Sequence, residues 1–165
     1  MASRIAIDGG LFVRHATPSD TLFLRDLYAS TRAAELAMLA WDNEMKWRFV
    51  DHQFHAQDVD YRGRHPNGEF LVVEDADGTS IGRIYVSDLG DELRVLDVIV
   101  HERLRSRGYG TALMRWVLAR ADVAGQLVSL HVERANPAFR LYERLGFEAV
   151  SGNDLHLRME RRPIS

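Results

Sequence analysis

The segment Arg103-Leu104-Arg105-Ser106-Arg107-Gly108-Tyr109-Gly110-Thr111 concentrates the residue types that can hold an anion. It follows an apolar run, Glu92–Val100 (ELRVLDVIV), that reads as a strand. It opens a helix-type pattern over Gly110–Ala124, with Leu113, Trp116, Val117 and Ala121 on one stripe. Two glycines let the backbone turn tightly and let a ligand come close to the main chain. A helix start offers N–H groups without intrahelical acceptors, at the positive end of the helix dipole. Three arginines add charge. Together these features make a pyrophosphate site.

Other phosphate motifs fit less well. A P-loop requires Gly-Lys-Ser/Thr, and here Thr111 follows Gly110 directly. A dinucleotide fingerprint, as in a nicotinamide oxidoreductase, accommodates Gly108, Gly110 and an acid, Glu133, at the end of the next strand. Its third small position, however, is occupied by Leu113. A capped surface helix with solvated arginines is the non-functional alternative. His52 and His55 stand at i,i+3 with no third ligand placed by spacing, so no metal is expected.

The elements around this segment read as mixed α/β. Leu11–His15 is a strand. Thr17-Pro18-Ser19-Asp20 is a helix start, with Thr17 as cap and Pro18 at the first helical position. The helix is expected through about Ala29, and Ala33–Ala40 is ambiguous. A second helix runs from Asp42 or Asn43 to about Tyr61, with Trp47, Val50, Phe54 and Tyr61 on one face. Glu69–Glu74 and Thr79–Ser87 form a hairpin around Asp75-Ala76-Asp77-Gly78, and Leu89-Gly90-Asp91 turns into Glu92–Val100. Leu127–Val132 is a strand after the long helix, implying a parallel β-α-β unit. A short helix follows Asn136-Pro137, and Phe147–Val150 and Leu155–Glu160 close the chain as a last strand pair.

At 165 residues, 46% hydrophobic and 27% charged, the chain is sized for one domain, residues 1–165, with a real core. A formal net charge of −3 supplies no basic excess for nucleic acid. Cysteine is absent, which excludes disulfides, thiolate metal sites and a cysteine nucleophile. The N-terminus, Met1-Ala2-Ser3-Arg4-Ile5, leads into no apolar run of signal-peptide length, and no membrane-spanning stretch occurs. A cytoplasmic protein is the expectation.

A second segment, Asn136-Pro137-Ala138-Phe139-Arg140-Leu141-Tyr142-Glu143-Arg144-Leu145-Gly146-Phe147, lies one helix and one strand downstream. Arg105-x-x-Gly108-x-Gly110 resembles the acyl-CoA loop of the GNAT (Gcn5-related) N-acetyltransferase superfamily. The downstream segment resembles that family's Asn-x-x-x-x-x-Tyr-x-x-x-Gly-Phe element. The resemblance covers about Leu93–Val150. It implies the acyl-CoA N-acyltransferase fold: a mixed, mostly antiparallel sheet with one splayed parallel pair and helices on both faces. It also implies acetyl-CoA as donor and a primary amine, small molecule or protein, as acceptor.

By the same resemblance, main-chain groups of Asp97, Val98, Ile99 and Val100 pair with the pantetheine arm. Arg105, Ser106, Arg107, Gly108, Tyr109, Gly110 and Thr111 hold the pyrophosphate, and Asn136 and Phe139 border the cofactor. A backbone N–H of Val98 or Ile99 meets the developing oxyanion, and Tyr142 is the general acid. A phenol is protonated at neutral pH and can donate, although Tyr142 also fits a helix-face aromatic packed beside Leu141 and Leu145. Asp97 is the first choice for base and Glu74 the second. Simple alternation puts Asp97 on the opposite face from Leu96 and Val98. Trp47 and Glu74 are acceptor-side residues. A second copy of the chain, meeting the last strands or Ala33–Ala40, is a further expectation. The alternative function is a module that binds acyl-CoA without turnover.

Overall fold

Alternating apolar residues in the middle of the chain and helix-period stripes at either end give a sheet sandwiched by helices. The computed structural model describes residues 3–165. Met1 and Ala2, the head of the segment read for a leader, lie outside the described residues. In chain order the elements are β1 (Ile5–Ile7), β2 (Leu11–His15), α1 (Thr21–Ala37), α2 (Asn43–Arg64), β3 (Glu69–Glu74), β4 (Ser80–Asp88) and β5 (Glu92–Val100). Then come α3 (Tyr109–Ala124), β6 (Leu127–Glu133), α4 (Ala138–Arg144), β7 (Glu148–Gly152) and β8 (His156–Arg161). One eight-stranded sheet runs β1-β2-β3-β4-β5-β6-β8-β7. Every neighbouring pair is antiparallel except β5 and β6.

The two sheet faces carry separate cores. On one, α3 buries Leu113, Met114, Val117, Leu118 and Ala121 against Ile84, Val86, Leu93, Val95, Val128 and Leu130. Phe139, Tyr142 and Leu145 of the α4 region pack on the same cluster. On the other, Leu24 and Tyr28 of α1 and Val50 and Phe54 of α2 close over Val72 of β3. Among the described residues, no helix is long and apolar enough to cross a membrane.

Thr17 and Asp20 form the expected reciprocal capping box, and Asp20 also takes two hydrogen bonds of 2.8 Å from Arg14. α1 does not stop near Ala29 but continues to Ala37, because Ala33, Ala34, Leu36 and Ala37 are strong helix formers that nothing interrupts. Asp42 caps α2 by accepting from the Met45 N–H at 2.8 Å.

The register of β5 is irregular in a way alternation alone does not foresee. Tyr85 of β4 faces Asp97 and Val86 faces Val95, so Leu96 has no partner across the pair and forms a β-bulge. Leu93 and Val95 point to the α3 side before the bulge, and Val98 and Val100 do so after it. Asp97 and Ile99 therefore fall on the α1/α2 side, opposite Tyr85 and Arg83. Without the bulge, Asp97 would share the face of Leu93 and Val95.

Pairing between β5 and β6 stops at the same level. Glu92 to Val95 align with Leu127 to Leu130, and no residue pair follows. β6 meanwhile stays paired with β8 from Val128 through Glu133. The two parallel strands thus part, leaving the Leu96–Val100 edge of β5 facing a gap.

Candidate active site

The gap opens into a cleft of about 540 Å³, which the two parting strands line from below and α1 and α2 from above. Leu96 to Ile99 form one wall and His131 to Glu133 the other. Tyr28, Arg32 and Glu35 of α1 and Tyr61 of α2 overhang it, and Asn136 and His156 lie at the far end.

The bulge is held from the α1/α2 side. The Tyr61 hydroxyl donates to the Leu96 carbonyl at 3.3 Å. Arg83, 1% exposed, donates through Nε to Asp97 Oδ2 at 2.9 Å and bonds the same oxygen through a second nitrogen. Its guanidinium also donates to Gln57 Oε1 at 2.9 Å and lies 4.5 Å from the Tyr85 ring centre. Among the described residues, Asp97 Oδ1 has no hydrogen-bond partner. Asp97 is therefore anchored by one oxygen, while its residue lines the cleft.

Two buried phenols are held neutral. Burial, reinforced by the Asp97 charge, pushes Tyr142 up to about 12. Burial, again with Asp97, pushes Tyr61 up to about 12. Tyr142 packs on the α3-side core, with its ring 5.8 Å from that of Phe147. The core-packing reading of Tyr142 is thus what its contacts show.

After β5 the chain makes a short turn through Glu102–Leu104, where Leu104 N–H bonds the His101 carbonyl at 2.8 Å. Ser106 and Gly108 then take positive φ of 65° and 82°. For serine this is an uncommon conformation that stores strain. Gly108 is the N-cap of α3, and its carbonyl accepts from Ala112 at 3.0 Å. Among the described residues, no acceptor meets the N–H groups of Ser106, Arg107, Gly108, Tyr109, Gly110 or Thr111. Ser106 to Gly108 are exposed. Arg105 reaches back to the Val100 carbonyl at 3.4 Å. These N–H groups fit an anion with several oxygens.

The structure brings Asp97, Val98, Ile99 and Asn136 to the cleft. Asn136 spends its side-chain oxygen on the Ala138 N–H at 2.9 Å, leaving its amide nitrogen free among the described residues. Phe139 lies off the cleft, packed on the α3-side core and bordering a second hollow with Arg134 and Arg140.

Two expected residues are elsewhere. Glu74 sits on β3, separated from β5 by β4. Arg4 and Arg14 engage its two oxygens at 2.8 and 2.9 Å, so it is neither base nor acceptor ligand at this cleft. Trp47 of α2 is 52% exposed beside Asp26, Ala29 and Leu36 of α1, with Arg25 4.5 Å over its ring, because it lies about 21 Å along α2 from Tyr61. Arg83 went unnoticed in the sequence, although an arginine inside the apolar run of β4 requires a buried partner.

The family model for the acetyltransferase (GNAT) domain matches residues 66–149. The chain belongs to the GNAT acetyltransferase family. Solved structures share its fold. The PaiA N-acetyltransferase from Thermoplasma acidophilum, crystallised with coenzyme A, is 17% identical at a TM-score of 0.67, covering 92% of this chain and 98% of its own. Ard1 from Thermoplasma volcanium is 23% identical, covering 94% and 99%, at 0.63. A chimera of the spermidine N-acetyltransferase SpeG from Vibrio cholerae with hSSAT is 20% identical, covering 93% and 96%, at 0.66. No curated protein matches the sequence.

Proposed function

We propose that this GNAT protein is an N-acetyltransferase that uses acetyl-CoA to acetylate a primary amine by direct attack. The observation that carries the reading is the continuity of two unsatisfied surfaces. The stretch Leu96–Val100, which pairs with no residue of β6, runs into the loop whose N–H groups, Ser106 to Thr111, lack acceptors among the described residues.

The loop N–H groups hold the diphosphate at the start of α3, with Arg105 and Arg107 adding charge. The free edge of β5 takes the amides of the pantetheine arm as an added strand. Acetyl-CoA bound there supplies the activated acetyl thioester. The Val98 or Ile99 N–H donates to the carbonyl oxygen as negative charge develops. Asp97, steadied by Arg83 through Oδ2, presents Oδ1 to the incoming ammonium and removes its proton directly or through water. Tyr142, a phenol protonated throughout the physiological range, gives its proton to the departing thiolate.

Thiol release from acetyl-CoA across a panel of amines tests the reading, with CoA affinity measured in parallel. Tyr142→Phe is expected to lower kcat by about 10²-fold or more and to leave CoA affinity nearly unchanged. Tight CoA binding with no amine turned over would favour a non-catalytic acyl-CoA module.

A further inference from the structure

From the strand register at the mouth of the gap, we infer that His131 carries the acceptor's surplus proton from Asp97 to solvent. This rests on the acetyltransferase reading above and adds a proton-relay residue to it.

The need for a relay follows from proton balance. An alkylammonium loses two protons on becoming an amide, while the departing thiolate gains one. One N–H bond breaks to free the electron pair that attacks the acetyl carbon, and a second breaks to leave the neutral amide. One of these protons replaces the one that Tyr142 gives the thiolate. The other is taken up at Asp97 Oδ1, the oxygen that Arg83 leaves open, and must then reach solvent. A group with a pKa near the working pH both accepts and releases a proton readily, and histidine, at about 6.5, has its ordinary value there.

The register supplies the place. Arg94 of β5 is level with Ser129 of β6 and donates to its hydroxyl at 3.4 Å on the α1/α2 side. Val128, Leu130 and Val132 point to the α3-side core, so the next β6 residue on the α1/α2 side is His131. On β5 the bulge makes the next residue on that side Asp97. Asp97 and His131 are therefore the first residues on this face of the two lips where the strands part, and both line the cleft. His131 is also exposed, which gives the proton its exit. The cleft's other imidazole, His156, stands farther along β6, beside Glu133 at 3.9 Å. Around His131 stand Glu92 and Arg94 of β5 and Arg158 and His156 of β8, with Arg32 and Glu35 of α1 and Tyr61 of α2 overhanging the cleft. Loss of part of its water shell, then the charges of Arg94 and Arg158, hold the imidazole below its ordinary 6.5 against the opposing pull of Glu92. His131 thus waits neutral, and its imidazolium, set among cations, gives its proton up to water.

The test follows kcat against pH at saturating acetyl-CoA and amine, read from the acetylated product, for the two amines of the panel that turn over fastest. The parent should lose kcat as pH falls below 6.5, with the same limb for both amines whatever their own basicity. His131→Gln is expected to abolish that limb and to lower kcat by about tenfold or more, with CoA affinity and Tm unchanged. In His131→Ala, added imidazole should restore part of kcat, because the position is open to solvent. A purely structural role would produce neither the loss of the limb nor the rescue. An unchanged kcat and limb in His131→Gln, or a loss that imidazole does not restore, overturns this inference and leaves the acetyltransferase reading standing. No turnover of any amine overturns both.

Discussion

Gly108 and Gly78 form a matched pair on which the anion site can be tested. Their φ angles are +82° and +83°, and a Cβ added at either meets no atom within 4 Å. Gly78 sits in the β3–β4 turn, its N–H on the Asp75 carbonyl at 3.1 Å. Alanine at either site is held in the left-handed region at a cost of about 1–2 kcal/mol, offset in part by the lower entropy of the unfolded chain. Each variant should therefore lose about 1 kcal/mol, or roughly 2–4 °C in Tm for a chain of this size. Binding should separate them. In Gly108→Ala the added Cβ stands in the open space beside the N–H groups at the start of α3 and keeps a diphosphate from close approach. A hydrogen bond to a charged group contributes about 1.5–3 kcal/mol, so losing two of them weakens CoA binding about 10²-fold or more. Gly78→Ala should bind CoA as the parent does. Calorimetric titration with CoA and thermal melts of both variants supply the comparison. Equal Tm losses together with parental CoA affinity in Gly108→Ala would refute the placement of the diphosphate.

Other outcomes follow from the ionisable groups. Tyr61 and Tyr142 titrate near 12 in the folded chain against an ordinary value of 10.0, so stability is complete below about pH 10 and drains as pH rises toward 12. Tyrosinate absorbance should show Tyr61, Tyr142 and Tyr85, which burial also raises, titrating late, with one fewer in each Tyr→Phe variant. Hydrogen bonds from Arg14 hold Asp20 below its ordinary 3.8, and hydrogen bonds from Arg161 do the same for Asp122. The stability they contribute is present above about pH 4 and is lost as pH falls through the lowered values. Urea unfolding at stepped acid pH should show that loss, with a shallower slope in Asp122→Asn. Arg83→Met strands the Asp97 carboxylate and should cost about 3 kcal/mol or more by chemical unfolding. Asp97→Asn in the same background should recover part of that loss.

The parts of the site legible in the sequence were those that depend on local backbone chemistry. Gly108 and Gly110 ahead of an apolar stripe specify a loop and a helix start wherever the chain places them. Asn136-Pro137 likewise marks the entry to α4. The parts that were hidden depend on partners far along the chain. Glu74 and Asp97 are both acids in apolar strands, and only pairing tells them apart. Arg4 and Arg14 close over Glu74, whereas Arg83 leaves one oxygen of Asp97 open to the cleft. Trp47 and Tyr61 share a notional stripe on α2, but about 21 Å of helix separates them, and Tyr61 alone of the two lines the cleft. The bulge did leave a trace: Leu93 and Val95 keep one parity and Val98 and Val100 the other, so the apolar phase slips by one residue at Leu96.

That slip explains why the two parallel strands part. β6 cannot follow β5, because β8 holds it in register through Glu133↔His156. β5 cannot return to β6, because a bulge bends and over-twists its strand, and this one begins where β5–β6 pairing ends. β4 maintains contact across the bulge, with Ile84 facing Val98 and Gly82 facing Val100. At Gly82 a Cβ would lie 2.5 Å from the Ile99 carbonyl oxygen, so this close strand contact depends on glycine. The gap is thus imposed by pairings on its two outer sides. Deleting Leu96 tests the argument. It would restore simple alternation with Asp97 still opposite Tyr85 and beside Arg83, because the residue removed is the one without a partner across the pair. The shortened chain should keep its fold, let β5 follow β6 beyond Val95 and lose measurable affinity for CoA. A folded deletion variant that still bound CoA would show that the splay does not depend on the bulge.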